Sequence, residues 1–232
     1  RQMCIRDNDS TMGRYSHENK LKDFADGKYD ILLGTQMVAK GLDFENVTLV
    51  GVINADQQLN NDDFRSQERT FDLLTQVVGR AGRGQYKGTA VIQTCNPEND
   101  VIQIAARQDY DAFFKDELKT RKMLIYPPYC DICLIGFTGE NEPKVRVASQ
   151  KYTDRLKEKL SVEYKDLKII ALGPMTARVS KISNKFRYRL ILKCKNTKRF
   201  RALMNELLKY TGTDRAYNDV SVYIDINPEN II

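Results

Sequence analysis

No apolar stretch of this 232-residue chain approaches the roughly 20 residues that carry a helix across a bilayer. The sequence therefore predicts no membrane span. The first 20 residues also lack the basic-then-apolar pattern of a secretory leader, and a cytoplasmic protein is expected. Cysteine is sparse and odd in number, at positions 4, 95, 130, 133 and 194. That argues for a reducing compartment over a disulfide framework. Cys130 and Cys133 have CxxC spacing, but no second pair stands near them and His17 is the only histidine. They read better as part of a half-buried strand, "YCDICLIGFTG", than as a metal or redox pair, and no metal ligand is expected in this chain. Internal repeats and low-complexity tracts are absent too.

What is present is an ordinary globular composition, 41% apolar and 29% charged, enough to bury one or two cores. The net charge of +6 is unevenly placed. Residues 1–100 hold 12 Lys and Arg against 15 Asp and Glu, and residues 101–232 hold 25 against 16. A basic second half suits an anionic partner, nucleic acid above all. A well-solvated surface would read the same way from charge alone.

Hydrophobic patterning divides the chain. "SHENKLKDFADG" reads as a helix capped by Ser16 and ended by Gly27. "YDILLGT" reads as a short buried strand, "VTLVGVINAD" as a second apolar strand and "GTAVIQT" as a third. "DDFRSQERTFDLLTQVVGRAG" is helical by spacing, with Phe64, Phe71, Leu74 and Val78 on one side. Helices alternating with apolar strands predict a parallel sheet covered on both faces. Pro127 and Pro128 then stop a helix. The predicted boundary lies there, giving domains 1–125 and 126–232. The second domain reads strand 130–138, helix 143–160, strands 167–172, 177–182 and 186–193, helix 197–209 and strand 219–226. That order predicts an α+β domain with a largely antiparallel sheet and helices on one face. Tyr126 and Tyr129, flanking the prolines, are expected to pack a joint between domains and not to stack on bases.

Two stretches carry chemistry. In "QVVGRAGR", residues 76–83, Arg80 and Arg83 each follow a glycine. Gly79 and Gly82 would let the chain turn and another surface approach. Guanidinium forks suit phosphate oxygens at any working pH. A glycine-rich helix cap with two solvated arginines accounts for these eight residues equally well. "GTQMVAKGLDF", residues 34–44, follows a strand and offers backbone amides, a hydroxyl, a cation and an acceptor to an anion.

In this order and spacing the two stretches resemble motifs V and VI of superfamily-two helicases. With "DFRSQERTFDLLTQVVGRAGR", "YPPY", "ALGP", "IRDNDST" and "VYIDINP", the chain resembles the bacterial primosomal replication-restart helicases over nearly its whole length. The resemblance implies an α/β, RecA-like second helicase lobe with a parallel sheet of the P-loop NTPase type, followed by a smaller α+β C-terminal domain. It implies an ATP-driven 3′→5′ DNA helicase that recognises stalled forks and assembles a primosome. Arg80 and Arg83 would reach the ATP phosphates, and Gln76 would couple nucleotide to the motif network. Gly41 and Asp43 would face the nucleotide or transmit its state, and Thr35, Gln36 and Lys40 would lie along the track of the translocated strand. Implied cofactors are ATP and Mg2+, with zinc in a module outside this chain. Implied partners are branched and single-stranded DNA, the single-strand DNA-binding protein, other primosome proteins and the loader of the replicative helicase. A nucleoid location follows. The chain contains neither GxxxxGK[ST] nor a DExH carboxylate motif. The expectation is a C-terminal piece of a longer protein, inactive alone. The competing expectation is a non-catalytic DNA- or protein-binding module with a motor-like fold.

In the basic half, "KFRYRLILK", residues 185–193, alternates with period two. Phe186, Tyr188, Leu190 and Leu192 share one side; Lys185, Arg187, Arg189 and Lys193 share the other. An inward apolar side would display a row of cations at about 6.8 Å intervals, close to the phosphate repeat of an extended strand. Arg178 and Lys181 would add to it. An edge strand protected by charge is the alternative. Lys198, Arg199 and Arg201 open the following helix, where cations oppose its dipole. They are a further candidate surface for an acidic partner.

Overall fold

A computed structural model describes residues 2–4, 15–34, 44, 46–82 and 87–231. They form two units, Arg1–Asn61 with Arg65–Asp116, and Asp62–Phe64 with Glu117–Ile232. The change of unit falls inside a helix, ahead of the prolines.

In the first unit, β1 (Gln2–Cys4) pairs in parallel with β2 (Ile31–Leu33). Between them runs α1 (Tyr15–Ala25), which takes Ser16 inside the helix instead of at its cap. The left-handed Gly27, φ 74°, ends it. β3 (Leu49–Val52) pairs in parallel with β4 (Thr89–Ile92). Parallel neighbours need a crossover, supplied here by α2 (Asp56–Leu59) and α3 (Ser66–Val78). Asn99 then caps α4 (Asp100–Ala106), its side-chain oxygen accepting from the amide of Val101 at 3.0 Å. The last helix, α5 (Tyr110–Leu124), crosses the division between units. Phe71 and Leu74 of α3 pack with Val101, Ile102 and Ala105 of α4 and Phe113 of α5. The rings of Phe71 and Phe113 stack at 4.2 Å. Full burial of a side chain such as Leu74 contributes about 1.5–3 kcal/mol. Phe64 is not part of this stripe: α3 begins two residues later, and Phe64 belongs to a different cluster, with Ile132 and Tyr126.

The second unit holds a four-stranded antiparallel sheet in the order β6-β7-β5-β8. Its strands are β5 (Asp131–Gly139), β6 (Ile170–Ile182), β7 (Lys185–Cys194) and β8 (Ser221–Ile226). Where two strands were expected over 167–182, β6 is one. Its pairing with β7 slips between Leu172 and Met175 and again between Thr176 and Lys181. Pro174 is tolerated because β6 is an edge strand, where a missing amide costs no ladder bond. The helices α6 (Glu142–Val162) and α7 (Lys198–Thr213) cover one side of the sheet. Val145, Ala148, Tyr152 and Leu156 of α6 and Phe200, Leu203 and Leu207 of α7 meet Cys133, Ile135, Phe137, Leu190 and Leu192 there. Burial pushes the Cys133 thiol up to about 12, as a core strand residue requires. The other side of the sheet carries a smaller cluster of Ile132, Leu134, Ile191 and Ile231.

Candidate functional site

The corner after α3 is built from backbone. Gly79 and Arg80 continue the helix by one tightening turn, their amides bonded to the carbonyls of Thr75 and Val77 at 3.0 Å each. The turn runs from Gly79 to Gly82: Gly79 has ordinary right-handed torsions, φ −67° and ψ −3°, and the left-handed residue is Gly82, with φ 75°. The Gly82 amide donates to Val47 at 3.1 Å, and a Cβ on Gly82 would lie 2.3 Å from the amide nitrogen of Gly88. Two backbones cross there with no space for a side chain. Gln76 lies in the last turn of α3, and Arg80 follows two residues beyond its end. Gln76 is exposed and Arg80 half-buried. Asp72, one turn before Gln76, has its carboxyl pushed up by burial and by the charge of Glu68. The strand ends nearby in sequence are also tied. The carboxylate of Asp56, after β3, accepts from the hydroxyl of Thr94 at 2.7 Å and the amide of Cys95 at 2.8 Å, after β4. Those bonds, the Cys95 amide first, hold its carboxyl below the usual range.

Arg83, together with Thr35, Gln36, Lys40, Gly41 and Asp43, lies outside the described residues. Of the expected nucleotide set, Gln76 and Arg80 are the members whose placement is known.

The second candidate surface is the hairpin of β6 and β7. Ser183 and Asn184, φ 48° and 62°, make its two-residue turn, the left-handed pair that matches strand twist. Lys181, Lys185 and Arg187 gather at this tip. Lys181 is opposite Phe186 in the register and lies over its ring at 4.6 Å. It therefore shares the helix-covered side, while Lys185 and Arg187 share the outer side. Arg178 is exposed, in the stretch where the register slips. The period-two reading of β7 places its apolar side correctly, with Leu190 and Leu192 in the helix-covered core. The row of four displayed cations, however, is corrected: Lys185 is exposed, Arg187 is half-buried, and the other two are covered. Arg189 and Lys193 are each only 9% exposed. The guanidinium of Arg189 donates to the carbonyl of Ile231, and Lys193 Nζ donates to the carbonyl of Leu124 at 2.6 Å. Covering of this side by residues distant in sequence is the physical reason.

Sequence reasoning missed Tyr223. Its ring lies where a Cβ on Gly136 would be, 2.1 Å from the site of that atom. It is 41% exposed on the outer side of the sheet. The glycine in the middle of "LIGFTG" was the available signal. Tyr126, by contrast, packs as a structural ring, flat on Phe64 with centroids 5.0 Å apart. The cations opening α7 are largely engaged. Arg199 pairs with Asp166 at 2.7 Å and donates to the carbonyl of Glu163 at 2.7 Å, and Arg201 donates to Asn196 at 2.9 Å. Among the described residues, no group of three or more His, Cys, Asp or Glu is placed to hold a metal ion, and no helix is long and apolar enough to cross a membrane.

Comparison with known proteins covers both units. The helicase conserved C-terminal domain matches residues 3–85, and the primosomal protein N C-terminal domain matches residues 122–229. Replication restart protein PriA of Bacillus subtilis is 40% identical over 96% of this chain and 27% of its own length. The protein of the same name from Synechocystis sp. is 42% identical over 81% of the chain and 22% of its own length. That of Borreliella burgdorferi is 36% identical over 97% and 33%. The chain thus spans 22–33% of the curated relatives it matches. A RecA-like helicase lobe followed by a primosomal C-terminal domain, matched over 81–97% of the chain by these relatives, places the chain in the PriA family of replication restart proteins.

Proposed function

We propose that this chain supplies the arginine-bearing second lobe and the DNA-binding C-terminal domain of an ATP-dependent 3′→5′ DNA helicase that restarts replication at stalled forks. The observation that supports this best is Arg80. A half-buried guanidinium, one turn beyond an exposed glutamine, stands at a corner whose backbone crossing excludes any side chain at Gly82. A DNA- or protein-binding module has no use for an arginine fixed in this way. A cation and an amide one turn apart fit the oxygens of a triphosphate. Bound ATP supplies the free energy of phosphoryl transfer. Arg80 and Arg83 would neutralise charge on its phosphates, Gln76 would couple nucleotide to the motif network, and Thr35, Gln36 and Lys40 would serve the track of the translocated strand. Gly41 and Asp43 serve to bind the nucleotide or to transmit its state. Mg2+ accompanies ATP, and both Mg2+ and zinc are held by segments other than the described residues.

DNA binds the outer side of the β6–β7 hairpin. Lys185 and Arg187 contact phosphates, Arg178 and Lys181 extend the contact around the tip, and Tyr223 offers a ring to a base. Partners on this reading are branched and single-stranded DNA, the single-strand DNA-binding protein, other primosome proteins and the loader of the replicative helicase. The test is Arg80→Ala in the full-length protein. A positioned arginine contributes about 10³-fold or more to phosphoryl transfer, so DNA-dependent ATP turnover should fall by that order with DNA affinity retained. Unchanged turnover would overturn the assignment.

A further inference from the structure

Two rows of residues cross the outer side of the second unit's sheet. In one, Gly136 of β5 stands between Tyr223 of β8 and Arg189 of β7; in the next, Thr138 stands between Ser221 and Arg187. The alternate residues of the same strands, Ile135, Phe137, Ile224 and Leu190, pack in the helix-covered core, so both rows lie on the opposite face. Gly136 leaves a gap in its row, and Tyr223 fills it. A Cβ on Gly136 would lie 2.1 Å from Cζ and 2.2 Å from Cε1 of Tyr223. The ring therefore rests over the β5 backbone, while Tyr223 stays 41% exposed.

Other rings of this unit are engaged. Phe137 meets Tyr152 at 5.4 Å, Tyr210 meets Tyr217 at 5.9 Å, and Arg199 lies over Tyr164 at 4.9 Å. Tyr223 has no such partner among the described residues. An aromatic side chain laid across a strand glycine restores packing that the glycine lacks, which accounts for apolar cover at 223. It does not account for an open ring beside two hydroxyls and a cation. Ser221 is exposed, and Thr138 and Arg187 are half-buried. Tyr223 and Arg187 are two strands and one row apart, about 12 Å between Cα atoms. One nucleotide bridges that separation when its base rests on the ring and its phosphate meets the guanidinium. Asp225, exposed on the same side and opposite Leu134, repels a phosphate from the other flank of the ring. The phosphates are thereby directed towards Arg187 and Lys185.

We propose that Tyr223, seated on Gly136, is a stacking subsite for one unpaired base, and that it makes this face prefer single-stranded to duplex DNA. Arg187 takes the phosphate of the same nucleotide, Lys185 takes the next, and Thr138 and Ser221 offer hydroxyls to the sugar or the base edge. The inference rests on the reading of the β6–β7 hairpin as a DNA-binding surface and adds strand selectivity to it. Cations meet the phosphates of either form, whereas the face of a base is open to a protein ring only outside the duplex stack. Every base has such a face, so the preference is for single strands and not for a sequence.

The experiment uses the full-length protein without nucleotide, with a single-stranded oligonucleotide and a blunt duplex of equal length, and affinities from fluorescence anisotropy. Tyr223→Leu keeps apolar cover on Gly136 and removes the aromatic face. It should weaken single-strand binding about five-fold or more and leave duplex binding within about two-fold. Tyr223→Phe should keep the original affinity for both. If Tyr223→Leu does not fold, Tyr223→Val takes its place. In the unsubstituted protein, single strands carrying iododeoxyuridine should crosslink under ultraviolet light to the peptide that holds Tyr223, identified by mass spectrometry. Equal losses for single strand and duplex would assign Tyr223 to sheet stability and overturn the inference, and so would a crosslink map without Tyr223. Lys185→Glu with Arg187→Glu separates the two failures. If that variant keeps its DNA affinity and salt dependence, the reading of the hairpin has failed. If it loses affinity while Tyr223→Leu binds single strands as before, only the stacking subsite has failed.

Discussion

A single residue decides the geometry of the arginine corner. Gly82 combines φ 75° with a Cβ position 2.3 Å from the backbone of Gly88. Any side chain there meets backbone, which cannot rotate away, and a left-handed torsion adds its own cost. Gly82→Ala should therefore destabilise the first unit by about 1–3 kcal/mol or more, measured by chemical denaturation of the chain. Gly79→Ala is the internal control. Its torsions are right-handed, and the nearest atom to its added Cβ is the Thr75 carbonyl at 3.2 Å. Its cost should be clearly smaller than that of Gly82→Ala, and equal costs would show that the crossing at Gly88 does not govern the corner. From "GRAGR" alone the two glycines are equivalent. What separates them is a crossing with a strand-side residue six positions later, which no local pattern encodes.

At the level of elements, β7 shows how far alternation can be read. Period two put Leu190 and Leu192 in the core and four cations opposite, as found. It could not show that Ile231, Leu124 and Tyr126 come from remote parts of the chain to engage Arg189 and Lys193. It also could not show that two short strands over 167–182 are one edge strand with irregular pairing. Opposite charge changes on the two cation pairs should therefore behave differently. Lys185→Glu with Arg187→Glu should lower affinity for single-stranded DNA and make its salt dependence shallower by about 1.4 in log–log slope, two phosphates at roughly 0.7 each. Arg189→Glu buries a carboxylate against the carbonyl of Ile231 and should cost about 3 kcal/mol or more of folding stability, whatever it does to DNA. Comparable melting temperatures for the two variants would contradict the division. The helices behind the sheet are joined by carboxylates. Asp214 pairs with Lys151 at 2.6 Å and accepts from the hydroxyl of Tyr210 at 2.5 Å and the amide of Ala216 at 2.9 Å. These bonds, Lys151 first, hold its carboxyl well below the usual range, and Glu206 is lowered chiefly by its bond to Lys159. A carboxyl depressed in the folded state adds stability above its unfolded value, about 3.9 for Asp, and loses it as pH falls below that value. Thermal melts of the second unit should fall in midpoint below that pH, and Asp214→Asn should flatten the decline. An unchanged slope in the variant would show that the contacts carry no such linkage.

For the whole molecule, charge and chemistry are divided along the chain. The near-neutral, slightly acidic first half carries the corner at Arg80, and the strongly basic remainder carries the hairpin of Lys185 and Arg187. The family was legible because its motifs are local: "QVVGRAGR" and "GTQMVAKGLDF" need only spacing to be read. The grouping of Asp62–Phe64 with the second unit was not, because it follows from ring stacking across more than 60 residues, Phe64 to Tyr126. The same division gives a last prediction. Phosphoryl transfer requires a cradle for the β- and γ-phosphates as well as an arginine, and residues 1–232 contain no GxxxxGK[ST] sequence. DNA binding requires only displayed cations and rings. These 232 residues alone should bind single-stranded DNA with an affinity that falls steeply with salt, and should give no ATP turnover above a buffer control at any DNA concentration. Adding the segment of the family that bears the phosphate cradle should create turnover, and Arg80→Ala in these residues should remove it. Turnover by the chain alone, or turnover with the added segment that survives Arg80→Ala, would place the catalytic arginine elsewhere. DNA binding that ignores salt would remove Lys185 and Arg187 from the interface.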